Sequence, residues 1–85
     1  MNTAKYDELA HLFKTLAHPT RLGILNALKI KEHAVHELQE IICCRQANLS
    51  QHLSILRKAN LVVTRKVGKE IYYARNVEMM RKYSH

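Results

Sequence analysis

The hydrophobic period of this chain changes close to residue 60, and that change limits the folds open to it. Before it, apolar residues recur at helical spacing. Beyond it come "LVVTRK" and "EIYYAR", two β-branched and aromatic runs separated by "VGK", where Gly68 is free to take a positive φ. Helices followed by a β-hairpin are therefore predicted, with Arg65, Lys66 and Lys69 near the hairpin tip. Two glycines and one proline in 85 residues leave few places to break a helix, so the helices should be joined by short turns. One domain over residues 1–85 is expected. A core of that size leaves a modest stability margin, which burial against a second copy would enlarge.

Tyr6, Leu9, Ala10, Phe13, Leu16 and Ala17 share one side of a first helix, opposite Asp7, Glu8, His11 and Lys14. Leu12 widens this arc enough for it to meet both the core and a partner helix. Pro19 ends the first helix near His18 and suits the first position of the next, whose buried stripe is read as Leu22, Leu25 and Leu28. A short third helix is centred on Val35, Leu38, Ile41 and Ile42. In "CRQANLSQHLSILRKANLV", Leu49, Leu53, Leu56 and Asn60 fall within about a third of a turn of one another. Ala47, Ser50, Gln51, Ser54 and Lys58 point the opposite way, flanked by Gln46 and Arg57. After the hairpin, Val77, Met79, Met80 and Tyr83 mark a last helix that is too short to stand alone in water.

This order is that of a winged helix-turn-helix: mainly α (α+β), about five helices with a two-stranded β-hairpin wing. The charge distribution points to its partner. Residues 1–44 carry five basic and five acidic side chains, whereas residues 45–85 carry nine basic and two acidic, which accounts for the whole net charge of +7. Such segregation suits a polyanion facing the second half. A helix entering the major groove needs short hydrogen-bonding side chains that reach base edges, and the uncharged face of the fourth helix supplies them. Gln can pair with adenine, Ser can donate or accept, and the Ala47 methyl can touch thymine. Long cations belong at the helix ends and on the wing, beside phosphates.

At "LAHPTRLGIL", "VHEL", "RQANLSQHLSILRKANLV" and "RKVGKEIYY" the chain resembles the ArsR/SmtB family of bacterial and archaeal repressors. The family pattern falls on Ala17-His18-Pro19-Thr20-Arg21, on Ser50-Gln51-His52-Leu53-Ser54-Ile55-Leu56-Arg57 and on Gly68-Lys69-Glu70-Ile71-Tyr72-Tyr73, between about Leu9 and Arg75. The resemblance implies a homodimer built from the first and last helices, with two recognition helices in successive major grooves of a near-palindromic operator in double-stranded DNA. It also implies that Gln46, Ala47, Ser50 and Gln51 face the bases. Arg45 stands where many relatives carry a capping Ser or Thr. A guanidinium accepts no hydrogen bond, so a phosphate contact is the alternative role for Arg45. The DNA-binding candidates are thus Arg45, Gln46, Ala47, Ser50, Gln51, Ser54 and Arg57 on the helix and Arg65, Lys66 and Lys69 on the wing.

Many members of that family release DNA on binding a metal or on thiol oxidation. The usual Cys-x-Cys site would fall on Ala34-Val35-His36, which has no thiolate. The alternative site on the last helix finds only Glu78 and His85, so neither site is expected and no metal or other cofactor is predicted. His33, His36, Cys43 and Cys44 have the right elements for zinc, but His36 and Cys43 would lie about 10 Å apart along a helix, far beyond a shared ion. His52 is read as packing or contacting phosphate, His11 as a surface residue and His18 as a helix-end residue. Cys43 and Cys44 leave two readings open. They are free thiols in a reducing cytosol, or a sensor just before the recognition helix that responds to oxidation or a thiophilic ligand.

An enzyme is not expected: there is no nucleophile motif, no glycine-rich phosphate loop and no carboxylate pair on a plausible loop. The rival function is a winged helix that binds another protein and has no inducer site, since this fold does not dictate function. RNA is disfavoured because Tyr72 and Tyr73 point to opposite faces of a hairpin and make a poor stacking platform. The longest fully apolar run is Ile41-Ile42-Cys43-Cys44 and the opening MNTAKYDE does not read as a signal peptide, so a cytoplasmic protein without a membrane partner is expected.

Overall fold

The structure is a computed structural model that describes residues 3–82. Its elements follow in the order α1 (Thr3–Leu16), α2 (Pro19–Ile30), β1 (His33–Ala34), α3 (Val35–Ile41), α4 (Gln46–Lys58), β2 (Val62–Val67), β3 (Glu70–Arg75) and α5 (Val77–Lys82). Tyr83 and His85, named above, lie outside the described residues.

Each helix boundary has a local cause. At the start of α2, Pro19 occupies the first turn and the His18 side chain caps it, Nδ1 accepting from the Thr20 N–H at 3.2 Å. At the start of α3, Glu37 reaches back to accept from the Ala34 N–H at 2.9 Å. The end of α4 is a Schellman closure. Asn60 takes φ 60, its N–H donates to the Arg57 carbonyl and the Leu61 N–H donates to the Leu56 carbonyl, both at 3.0 Å. Asn60 therefore terminates α4 as an exposed, left-handed residue instead of extending the leucine row.

The core is a cluster of Leu12 from α1, Ile24, Leu25, Ala27 and Leu28 from α2, Leu38 from α3, Leu49, Leu53 and Leu56 from α4, and Leu61 and Val62 at the entrance to the sheet. Two of the stripes expected from sequence are redistributed. On α2, Ile24 and Ala27 turn inward while Leu22 is 51% exposed, because α4, α3 and β3 all pack on α2 and its core arc is broader than one leucine row. On α1, Leu12 and Thr15 are buried, whereas Tyr6 and Phe13 are 56% and 62% exposed. The aromatic side of α1 thus faces away from this chain's own core. At the other end, Met79 of α5 packs against the cluster.

The hairpin is in the expected place. Val62 pairs with Arg75 and the register runs to Val67 opposite Glu70, leaving Gly68 and Lys69 as a two-residue turn. Gly68 has φ 61, the position-specific need that a tight hairpin turn imposes. The sheet has three strands, not two: His33 and Ala34 pair with Tyr73 and Tyr72, giving the order β1-β3-β2. A two-residue strand is too short to show a period of two, which is why it escapes a reading of the sequence.

Candidate nucleic-acid interface

Helix α4 is divided lengthwise. Leu49, Leu53 and Leu56 are buried to 1% exposure or less, while Gln46, Ala47, Ser50, Gln51, Ser54, Arg57 and Lys58 are exposed. The leucines fix which way the helix is turned, and that rotation presents the small polar residues outward. Arg45 is the N-cap residue. Its carbonyl accepts from Leu49 at 2.9 Å, its side chain makes no capping bond, and the side chain is exposed beside the first turn. Asn48, also exposed in that first turn, was not singled out from sequence because it lies between the polar face and the His52 side of the helix.

A groove of about 590 Å³ is lined by residues of α3 and the wing and by the start of α4, including Gln46 from α4 and Lys69 from the turn of the wing. His36 and Glu70 also line it, with His36 Nδ1 and Glu70 Oε1 3.4 Å apart. Lys66 and Lys69 are exposed. Arg65 is placed differently from those two lysines. It is engaged by Glu32, through Nε at 2.8 Å and through Nη2, and its guanidinium lies over the Tyr72 ring. The Arg65 bond holds the Glu32 carboxyl below the usual carboxylate range, and Glu32 in turn raises Arg65. The Glu70 carboxylate beside Tyr72 pushes its phenol up.

On α4, His52 is half-buried against the start of α2. Arg21 Nε donates to His52 Nδ1 at 3.2 Å, and burial, with the neighbouring charges of His18 and Arg21, holds the His52 imidazole below its usual range. The sequence shows Arg21 only as part of a helix-opening motif. Its partner lies 31 residues away, which no local pattern reveals.

Cys43 is exposed and Cys44 is half-buried against the core, both as free thiols. Gln39 Nε2 donates to the Cys44 carbonyl, so the turn leading to Arg45 is tied back to α3. Among the described residues no group of three or more His, Cys, Asp or Glu is arranged to hold a metal ion, so His33, His36, Cys43 and Cys44 are not brought together as one site. No helix among the described residues is long and apolar enough to cross a membrane.

A family model described as bacterial regulatory protein, arsR family, matches residues 18–64, from the cap of α2 into the wing. A biofilm growth-associated repressor of Agrobacterium fabrum is 47% identical over 66 residues, covering 78% of this chain and 56% of that protein. Among solved structures, NolR from Sinorhizobium fredii superposes with a TM-score of 0.85 at 38% identity, covering 94% of this chain and 80% of that one. Reduced HlyU from Vibrio cholerae superposes with a TM-score of 0.82 at 33% identity, covering 98% and 96% of the two chains. The chain spans 56–61% of the length of the first curated relatives it matches.

Proposed function

Since this chain belongs to the arsR family of bacterial regulatory proteins, we propose that it binds double-stranded DNA sequence-specifically as a homodimeric transcriptional repressor. The observation that carries this reading is the division of α4: a leucine side at 1% exposure or less anchors the helix, and an uncharged hydrogen-bonding side faces out between cationic ends. Gln46, Ala47, Ser50, Gln51 and Ser54 read base edges in the major groove, while Arg45, Arg57, Lys66 and Lys69 contact phosphate or the minor groove. Arg65, whose charge already meets Glu32, contributes least of the wing cations.

The exposed Tyr6 and Phe13 of α1 and Val77 of α5 support a second copy as the cover for the first and last helices. A two-fold dimer sets its two α4 helices into major grooves about 34 Å apart, so a near-palindromic operator follows. Cys43 and Cys44 are the sensor of this reading: their turn leads directly into Arg45 and Gln46, so a change there re-aims the first turn of α4. With a hydroperoxide as oxidant, the two thiols close to a strained disulfide while the peroxide leaves as an alcohol and water. If Cys43→Ser and Cys44→Ser leave DNA release by oxidants and thiophilic metals unchanged, the sensor is elsewhere.

The test of the main reading is direct. The purified chain is titrated with duplex fragments from its own promoter region at low ionic strength. Retention of those fragments over scrambled ones is expected, with affinity falling steeply as salt rises. A chain that ignores every duplex under those conditions does not have this function.

A further inference from the structure

One arginine side chain joins three helices. Arg21, on α2, donates from Nη1 to the Thr15 carbonyl near the end of α1 at 3.1 Å and from Nε to His52 Nδ1 on α4 at 3.2 Å. His18 lies against the same imidazole, ring centroids 4.4 Å apart at an interplanar angle of 55°. Its own Nδ1 is taken by the Thr20 N–H. Two imidazoles and a guanidinium therefore share one half-buried place, and each imidazole uses the lone pair of its Nδ1.

We infer that His52 is a positioning residue for base reading: its neutral imidazole, through the Arg21 bond, sets the rotation of α4 against α2, and a proton on His52 releases it. This rests on the DNA-reading assignment of α4 made above. An imidazolium has no acceptor atom and a guanidinium carries only donors, so after protonation of His52 N–H faces N–H and two like charges meet. Nothing nearby offsets this. The charged groups acting on His52 are His18 and Arg21 from the opening of α2, and no carboxylate among the described residues is one of them. On α4 itself Arg57 and Lys58 are exposed, and of the charges on β2, Arg65 is taken by Glu32 and Lys66 is exposed.

The leverage is geometric. Side-chain tips on a helix stand about 5 Å from its axis, so a rotation of about 15° displaces them by about 1.3 Å. Base-edge hydrogen bonds tolerate only a few tenths of an ångström of stretch. Leu49, Leu53 and Leu56 fix which face of α4 is turned outward, and within that docking the directional Arg21–His52 bond sets the last degrees of rotation, because apolar contact is non-directional.

The sign separates this from simple electrostatics. An added charge near DNA strengthens binding to every duplex at acid pH. Release of α4 instead lowers the preference for the cognate fragment over a scrambled one, whatever happens to non-specific affinity. The experiment measures that preference between about pH 7.5 and 4.5 for the native chain, for His52→Asn, whose carboxamide oxygen can replace Nδ1 without titrating, and for His52→Ala. The preference of the native chain should fall at least fivefold across that range, His52→Asn should stay within twofold of its value at the upper pH, and His52→Ala should be low throughout. Parallel profiles for the native chain and His52→Asn would overturn the inference. In the free protein, the Arg21 Nε–H resonance should shift as the His52 imidazole protonates, and an unmoved resonance overturns the tie without any DNA present. Failure to bind duplex at any pH overturns the base-reading assignment instead, so the two failures are told apart.

Discussion

Arg65 reaches from β2 to the carboxylate of Glu32, 33 residues earlier, and its guanidinium sits 5.4 Å from the centroid of the Tyr72 ring. The wing is thereby tied to the segment that leads into β1, and its mid-section carries a cation whose charge is already matched. Lys69, in the turn itself, is exposed. Lys69→Ala should weaken every duplex alike and reduce the slope of log affinity against log salt by about one unit. Arg65→Ala should change that slope by less than about half a unit. Equal slopes for the two variants would place Arg65 on the phosphates after all.

Specificity should follow the other face. Gln46→Ala or Ser50→Ala removes a hydrogen-bonding group proposed to meet a base edge while leaving the basic residues in place. Each should cost about 1–3 kcal/mol of preference for the cognate site, with non-specific affinity preserved, in competition titrations against scrambled duplex. A uniform loss on all sequences would contradict the separation of reading from holding.

The exposed polar face of α4, on which the proposed interface rests, was legible in the sequence for a physical reason. Burial of Leu49, Leu53 and Leu56 on a helix of fixed period leaves Ser50, Gln51 and Ser54 nowhere to point except outward. The hairpin was equally legible, since Gly68 and two β-branched runs determine its turn. What escaped depends on distance along the chain. The Arg21–His52 bond, the Glu32–Arg65 tie and the pairing of His33 and Ala34 with β3 each join residues about thirty or more positions apart, where no periodicity operates. The sequence also suggested a broad apolar arc on α1 without dividing it. The structure separates Leu12, which faces the core, from Phe13, which does not.

Asn60 closes α4 at φ 60, where an L side chain is strained and Asn is tolerated better than most. Its carbonyl also accepts from Asn76 Nδ2 at 2.9 Å, which links the helix end to the segment before α5. Asn60→Ala should destabilise the chain by about 1 kcal/mol, and Asn60→Gly should be neutral or slightly stabilising. Urea unfolding reads both. An alanine variant as stable as the native chain would mean that the left-handed closure carries no energetic weight.

Glu37 supplies a pH dependence whose sign is fixed. The Ala34 N–H bond, foremost, holds its carboxyl below the ordinary range against an opposing effect of burial, with the His33, Lys31 and His36 charges adding to the lowering. A carboxylate depressed in the folded state stabilises above its unfolded pKa, and that contribution is lost as pH falls through the folded value. The melting temperature should therefore drop between about pH 5 and pH 3. Glu37→Gln keeps an oxygen for the Ala34 N–H but cannot titrate, so its acid limb should be shallower than that of the native chain. Superimposable acid limbs would remove Glu37 as a contributor.

Phe13 tests the assembly. It is 62% exposed on a helix that buries Leu12, about 100° further round, and Tyr6 lies two turns earlier on the same face at 56% exposure. Burying a phenylalanine side chain contributes about 1.5–3 kcal/mol, and a two-fold interface buries it twice. A carboxylate in its place would be desolvated without a partner, which an interface does not tolerate. Because Phe13 lies outside the core cluster, Phe13→Asp should leave the helical circular dichroism intact while shifting sedimentation from dimer to monomer. Operator affinity should fall at least about tenfold with it, since two linked half-sites bind far better than one. A variant that still sediments as a dimer would place the interface on another face of the molecule.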